Sequence, residues 1–184
     1  MAQLLSKRSK IIVAIILIGL SVAFRLVPHI ANFAPVAAAA FFAAIYLGRW
    51  WAVTVPLFSL LIADWFIGFY SWPIMLTVYG AFILIGLGNS LFKQKDLVAI
   101  FIRSIFGSLF FFLVTNWAVW QFGFWYQHNL FGLMQAYFMA VPFFRNTLLG
   151  DLTFGLAFVG AAELFGLLCR FKKEKTLVSE SLIG

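Results

Sequence analysis

Apolar stretches long enough to cross a bilayer recur along the whole chain, and Lys or Arg residues gather at every second break between them. A hydrocarbon core about 30 Å thick takes roughly 20 apolar helical residues to span. Lipid offers no hydrogen bonds, so each stretch must satisfy its own backbone groups and is expected to be helical. Six spans are expected, over about 11–27, 33–47, 50–68, 71–92, 97–117 and 147–169. Pro28 stops the first; Asn32 and Pro35 open the second; Pro56 falls inside the third; Asn146 or Thr147 opens the sixth. Of the 184 residues, 64% are hydrophobic and only 10% charged, too little polar surface for a soluble domain of this length. The expected fold class is therefore all-α: an integral membrane bundle of about six transmembrane helices. It forms one domain over 11–170, between a basic N-terminus at 1–10 and a basic tail at 171–184.

Lys7, Arg8 and Lys10 ahead of an apolar run are reminiscent of a signal peptide. The run ends in Phe24-Arg25-Leu26-Val27-Pro28 with no small-residue cleavage site, so it is expected to stay as the first helix. Lys7, Arg8 and Lys10, then Arg49, then Lys93 and Lys95, then Arg170, Lys172, Lys173 and Lys175 mark alternate breaks, while the others carry only Arg25 and Arg145. That bias predicts both termini in the cytoplasm of a multi-pass membrane protein. The net charge of +7 then reflects attraction to anionic lipid, and no nucleic-acid partner is implied. A single cysteine, Cys169, excludes an internal disulfide.

One stretch resists six-fold division. Residues 129–144 are apolar but short for a span, and Pro142 breaks their end. A seventh crossing would put the basic tail outside, so an interfacial or re-entrant segment between helices five and six is expected.

The polar residues sort by depth. Arg25, His29, Asn32, Asp64, Trp72, Asn116, Trp117, Trp125, Tyr126, Arg145, Asn146 and Asp151 fall toward the outer face, where they could line a small-molecule pocket. Asp64 and Asp151 lie about a turn inside the boundary and must face inward, because an unpaired acid in lipid costs several kcal/mol. Trp and Tyr at this level also form interfacial belts, Asp151 suits a helix N-terminus, and Arg25 and Arg145 can snorkel to headgroups. His29 and His128 lack metal-ligand spacing, so neither a metal nor a cofactor is expected. Deeper in, Arg103 and Glu163 each lie roughly 9 Å from the cytoplasmic end of their helices, which predicts a structural ion pair. Ala37, Ala40, Ala44 and Gly48 recur at helical spacing as a flat face, for internal packing or for docking a membrane partner.

The run from Arg25-Leu-Val-Pro-His-Ile-Ala-Asn-Phe-Ala-Pro-Val into an alanine-rich helix, then Gly48-Arg49, resembles the opening of a bacterial family of small membrane proteins of unknown function. Pro56 with Asp64-x-x-x-Gly68, Thr115-Asn-Trp-Ala-Val-Trp, and Pro142-Phe-Phe-Arg-Asn-Thr-Leu-Leu-Gly-Asp151 continue the likeness, over about 25–160. More widely, the chain resembles the vitamin-capturing S-components of energy-coupling factor transporters in size, helix number and alanine-rich second helix ending at Gly-Arg. Their first helix typically carries an Ala-x-x-x-Ala docking face; here stand Ala14-x-x-x-Ile18 and Gly19-x-x-x-Ala23. Ala2 replaces the histidine of the nickel and cobalt type.

No phosphate-binding Gly-x-x-x-x-Gly-Lys-[Ser/Thr] loop, His-Glu-x-x-His or Gly-x-Ser-x-Gly element is present, and no enzyme activity is expected. The resemblance implies a substrate-binding subunit for a small organic nutrient, a vitamin or planar heterocycle, energised by a transmembrane coupling subunit with ATPases. Trp72, Trp117, Trp125 and Tyr126 would stack on the ligand, the acids and arginines would pair with its charges, and Asn116 and Asn146 would orient it. The alternative is a non-transporting scaffold or assembly protein.

Overall fold

The computed structural model describes residues 6–28, 30–92, 94 and 96–183, with side chains as far as Cys169. His29, Lys93, Lys95 and the side chains of the basic tail lie outside the described residues. Six helices and no strand occur among the described residues: α1 Lys7–Leu26, α2 Val36–Tyr46, α3 Arg49–Ile67, α4 Trp72–Ser90, α5 Leu97–Phe122 and α6 Leu130–Ile183. All but α2 are long and apolar enough to cross a membrane.

Local chemistry sets most of the ends. Ser6 caps α1 by accepting from the Ser9 amide at 3.1 Å, and Asp96 caps α5 by accepting from the Ala99 amide at 2.7 Å. Gly48 turns α2 into α3 at φ 114°, a conformation that a side chain would strain.

The sixth helix departs from expectation. It begins at Leu130, not at Asn146 or Thr147, and the apolar segment at 129–144 is its first four turns. Asn129 supplies the start: its Oδ1 accepts from the Gly132 amide at 2.8 Å and its carbonyl from the Leu133 amide at 3.0 Å. Pro142 is carried inside the helix, as neighbouring helices allow in lipid. The apolar portion, Leu130–Cys169, is 40 residues long, about 60 Å and twice a hydrocarbon core. Its N-terminal part packs on α5, where the Tyr137 hydroxyl donates to the Leu113 carbonyl at 2.8 Å. α5 runs to Phe122, five residues past the expected end.

α2 is the central element and touches all five other helices. Ala38, Ala39, Ala40, Ala43 and Ala44 are all buried, so their small side chains bring the neighbouring backbones close. Ala40 and Ala44 of the alanine face are thus covered within the bundle, Ala37 is partly buried, and Gly48 makes the turn. Close packing recurs between α3 and α4. Pro56 has no N–H to give the Ala52 carbonyl, and Gly86 of α4 approaches that oxygen so closely that an added Cβ would lie 2.3 Å away.

Polarity is arranged inside out. Ser21, Ser59, Asp64, Ser108, Thr115 and Asp151 are buried, while Ile12, Ile15, Phe101, Phe106 and Leu164 stand exposed. A surface of that kind is stable only against hydrocarbon. The chain is a multi-pass membrane protein in contact with the bilayer.

Candidate functional site

α2 is too short to cross a core about 30 Å thick: 11 residues rise only about 16 Å. Its first residue, Val36, packs with Leu60 and Phe82. Leu60 is seven residues before the end of α3, so α2 starts about 10 Å below that end. The described residues 30–35 of the connection into α2 are irregular backbone: 30–32 are exposed, Phe33 and Ala34 are half-buried and Pro35 is buried. Such backbone is tolerated within a membrane only where protein covers it or where it lines a cavity. Residues 33–35 are covered, and Ala34 lines a cavity.

Protein covers it from α6. The Asn146 amide donates to the Ala31 carbonyl at 3.0 Å, a bond joining residues 115 apart. Phe33 packs against Phe154, ring centroids 5.3 Å apart. Gly150 makes room beneath, since a Cβ there would lie 3.3 Å from the Ala34 nitrogen. Asn32 takes φ 63°, which asparagine tolerates better than most residues.

Below the connection is a cavity of about 70 Å³. Arg25, Asn32, Thr147 and Asp151 give it polar groups, and Phe82 and Phe111 give it aromatic walls, their centroids 5.1 Å apart. Asp151 is buried and accepts from the Ser108 hydroxyl at 2.7 Å. Arg25 donates from Nη2 to Asp64 Oδ1 at 2.5 Å, and Tyr79 donates to Asp64 Oδ2 at 3.0 Å. Both Asp64 oxygens are therefore engaged, which makes the buried acid tolerable. The Arg25 Nε is buried with no hydrogen-bond partner. The arrangement offers one cationic donor, one carboxylate and two small polar groups within a space partly walled by aromatic faces. In the connection between α3 and α4, burial pushes the Tyr70 phenol up to about 12; the Asp64 carboxylate adds to the shift and Arg25 opposes it.

Of the residues expected to bind substrate, Arg25, Asn32 and Asp151 line this cavity. Asp64 anchors Arg25 from behind, and Asn146 holds the connection down. The others lie elsewhere. Trp72 is 68% exposed, Trp125 63% and Trp117 43%, and Arg145 is exposed. Tyr126 is partly buried away from the cavity, and Asn116 returns its amide to the Phe112 carbonyl at 2.7 Å. Trp72 opens α4, and Trp125 and Tyr126 fall in the connection between α5 and α6, positions that suit a lipid interface.

Arg103 and Glu163 take separate partners. Arg103 donates to Gln94 Oε1 at 3.3 Å and lies over the Phe41 ring at 5.0 Å, while Glu163 accepts from the Tyr46 hydroxyl at 2.7 Å. Ile100, Ser104 and Ser108 form the face of α5 that meets α6. Arg103 is one residue off that face, about 100° around the helix, so equal depth does not bring it to Glu163.

Ser108, Tyr79, Thr147, Phe82 and Phe111 were not anticipated. Ser108 and Tyr79 did carry a signal, being hydroxyls deep within otherwise apolar spans. Nothing in the sequence marks one phenylalanine above another.

No curated protein and no solved structure matches the chain significantly. A family model described as "Family of unknown function (DUF6580)" matches residues 5–174, nearly the whole chain. The chain belongs to that family, DUF6580.

Proposed function

We propose that this chain is a membrane-embedded substrate-binding subunit for uptake of a small organic solute, captured in the Arg25–Asp151 cavity. One observation carries the reading: irregular backbone ahead of the short α2, pinned to α6, borders a polar cavity that a buried carboxylate also lines. Interrupted helices that bring backbone and charge to a cavity are a recurrent way to bind solutes within a membrane. The likeness to energy-coupling factor S-components supports the same reading.

Both termini lie in the cytoplasm of a bacterial inner membrane. Lys10 donates to the Leu47 carbonyl at 3.2 Å, which puts the N-terminal basic cluster and Arg49 at one end of the bundle, with Arg25 at the other. The cavity then opens outward at Asn32, which is exposed. Its volume is well below the roughly 300 Å³ of a small organic-ligand pocket, so residues 30–35 lift to admit a planar heterocycle such as a vitamin. The ring stacks on Phe82 or Phe111, an acceptor takes the Arg25 Nε, and a donor meets Asp151. Lacking a phosphate-binding loop, the subunit draws energy from a transmembrane coupling partner with ATPases, or from an ion gradient.

The test is a melting screen of detergent-purified protein against vitamins and related heterocycles. One compound is expected to raise the melting temperature of the wild type and of Trp125→Ala, but not of Asp151→Asn or Thr147→Val. Helix content measured by circular dichroism confirms that the variants fold. No shift with any compound, or equal shifts in all variants, contradicts the proposal and leaves the scaffold alternative.

A further inference from the structure

A second and larger hollow runs between α4 and α5. It measures about 800 Å³, within the roughly 300–1,000 Å³ of organic-ligand sites. Leu84, Ile102 and Phe106 wall it, and all three are exposed, so it opens sideways toward hydrocarbon. Among the described residues its polar groups gather at one end, where α4 passes to α5: Asn89, Gln94, Asp96 and Arg103. An apolar trough with a single polar end has the outline of an amphiphile.

Arg103 sets the head-group chemistry. Its Nη2 donates to Gln94, and Phe41 and Phe92 lie beneath the guanidinium at 5.0 and 5.8 Å. The Nη1 is buried with no hydrogen-bond partner. Among the described residues the one ion pair is Arg25–Asp64, so no carboxylate bridges Arg103. Asp96 is nearby but spends Oδ1 on the cap of α5. A buried cationic N–H without an acceptor is costly, and an anion supplied from outside removes that cost. Arginine suits phosphate through its planar array of donors, and basic pockets between helices are a known form of phospholipid site.

We infer that this groove holds a phosphate-bearing lipid, with its phosphate on Arg103 Nη1 and a hydrocarbon chain along Leu84, Ile102 and Phe106. The second Asp96 oxygen is available to a head-group ammonium or hydroxyl. The occupant is a bulk phospholipid, since the Asp96 oxygen calls for a head-group donor that a polyprenyl monophosphate lacks.

Native mass spectrometry of delipidated full-length protein tests the assignment. The probes are phosphatidylethanolamine, phosphatidylglycerol, undecaprenyl phosphate and, as the uncharged control, diacylglycerol. One phosphate-bearing lipid is expected to stay bound per chain, with diacylglycerol lost. Arg103→Gln should lower retention at least about tenfold, the effect of removing a charge-assisted anchor. Gly88→Phe fills the trough from a position with open space around its Cβ and should lower retention equally with helix content unchanged. Retention of either phospholipid above undecaprenyl phosphate supports the assignment; retention of undecaprenyl phosphate alone overturns it. Equal retention by wild type, Arg103→Gln and Gly88→Phe, or equal retention of diacylglycerol, means annular lipid only and overturns the inference.

Discussion

Arg25, in the last turn of α1, donates to Asp64 on α3 across 2.5 Å, and Tyr79 on α4 completes the acid's second oxygen. Three helices are thereby tied at one level beside the cavity. Removing Arg25 leaves the buried Asp64 carboxylate without its cation, which typically costs about 3–5 kcal/mol. Arg25→Met should therefore lower stability by that order, whereas Arg25→Met with Asp64→Leu should lose less than Arg25→Met alone. Unfolding in mixed micelles checks both. An equal loss in the double variant would mean that the pair contributes by geometry rather than by charge balance.

Close approach of α3 and α4 gives a second outcome. Gly86→Ala puts a methyl 2.3 Å from the Ala52 oxygen, a backbone atom that cannot swing aside. The variant should be less stable by about 1–3 kcal/mol, the usual cost of overpacking. Gly80→Ala, on the same helix with nothing near its Cβ, should be neutral or slightly stabilising.

The connection at 30–35 depends on α6. Asn146→Ala deletes its bond to the Ala31 carbonyl, worth about 1 kcal/mol. Amide exchange at 30–34 should speed up several-fold, with the centre of α3 unchanged.

Tyr70 gives the chain a pH signature at the alkaline end. Its phenol is raised from 10.0 to about 12, chiefly by burial. A raised acid constant in the folded state favours the neutral phenol, so this contribution is complete below pH 10 and is lost as pH rises from about 10 to about 12. Difference absorbance between wild type and Tyr70→Phe should show tyrosinate appearing near pH 12, and near 10 after unfolding.

Depth along each helix was legible in the sequence, and direction around it was not. Apolar length and the Pro28, Gly48 and Ser71 breaks place α1, α3 and α4 within a few residues, because lipid leaves no alternative to helix. Pro142 misleads for the same reason: in water it would end a helix, whereas here α6 starts at Asn129's cap and runs through it. Arg25, Asn32 and Asp151 could be listed by depth and do share a cavity. Trp72 and Trp125 have the right depth and face outward, and Arg103 and Glu163 have equal depth and different neighbours. Which way a side chain points is fixed by helix rotation within the bundle, and that emerges only from packing on α2.

The most direct test concerns the side from which the cavity is reached. In a Cys169→Ser background, Asn32→Cys should react in intact cells with a membrane-impermeant maleimide, and Arg8→Cys should react only after the membrane is opened. A stabilising compound from the melting screen should slow modification of Asn32→Cys. Modification of Asn32→Cys only in opened membranes, with Arg8→Cys reacting in intact cells, would contradict an outward-facing binding site.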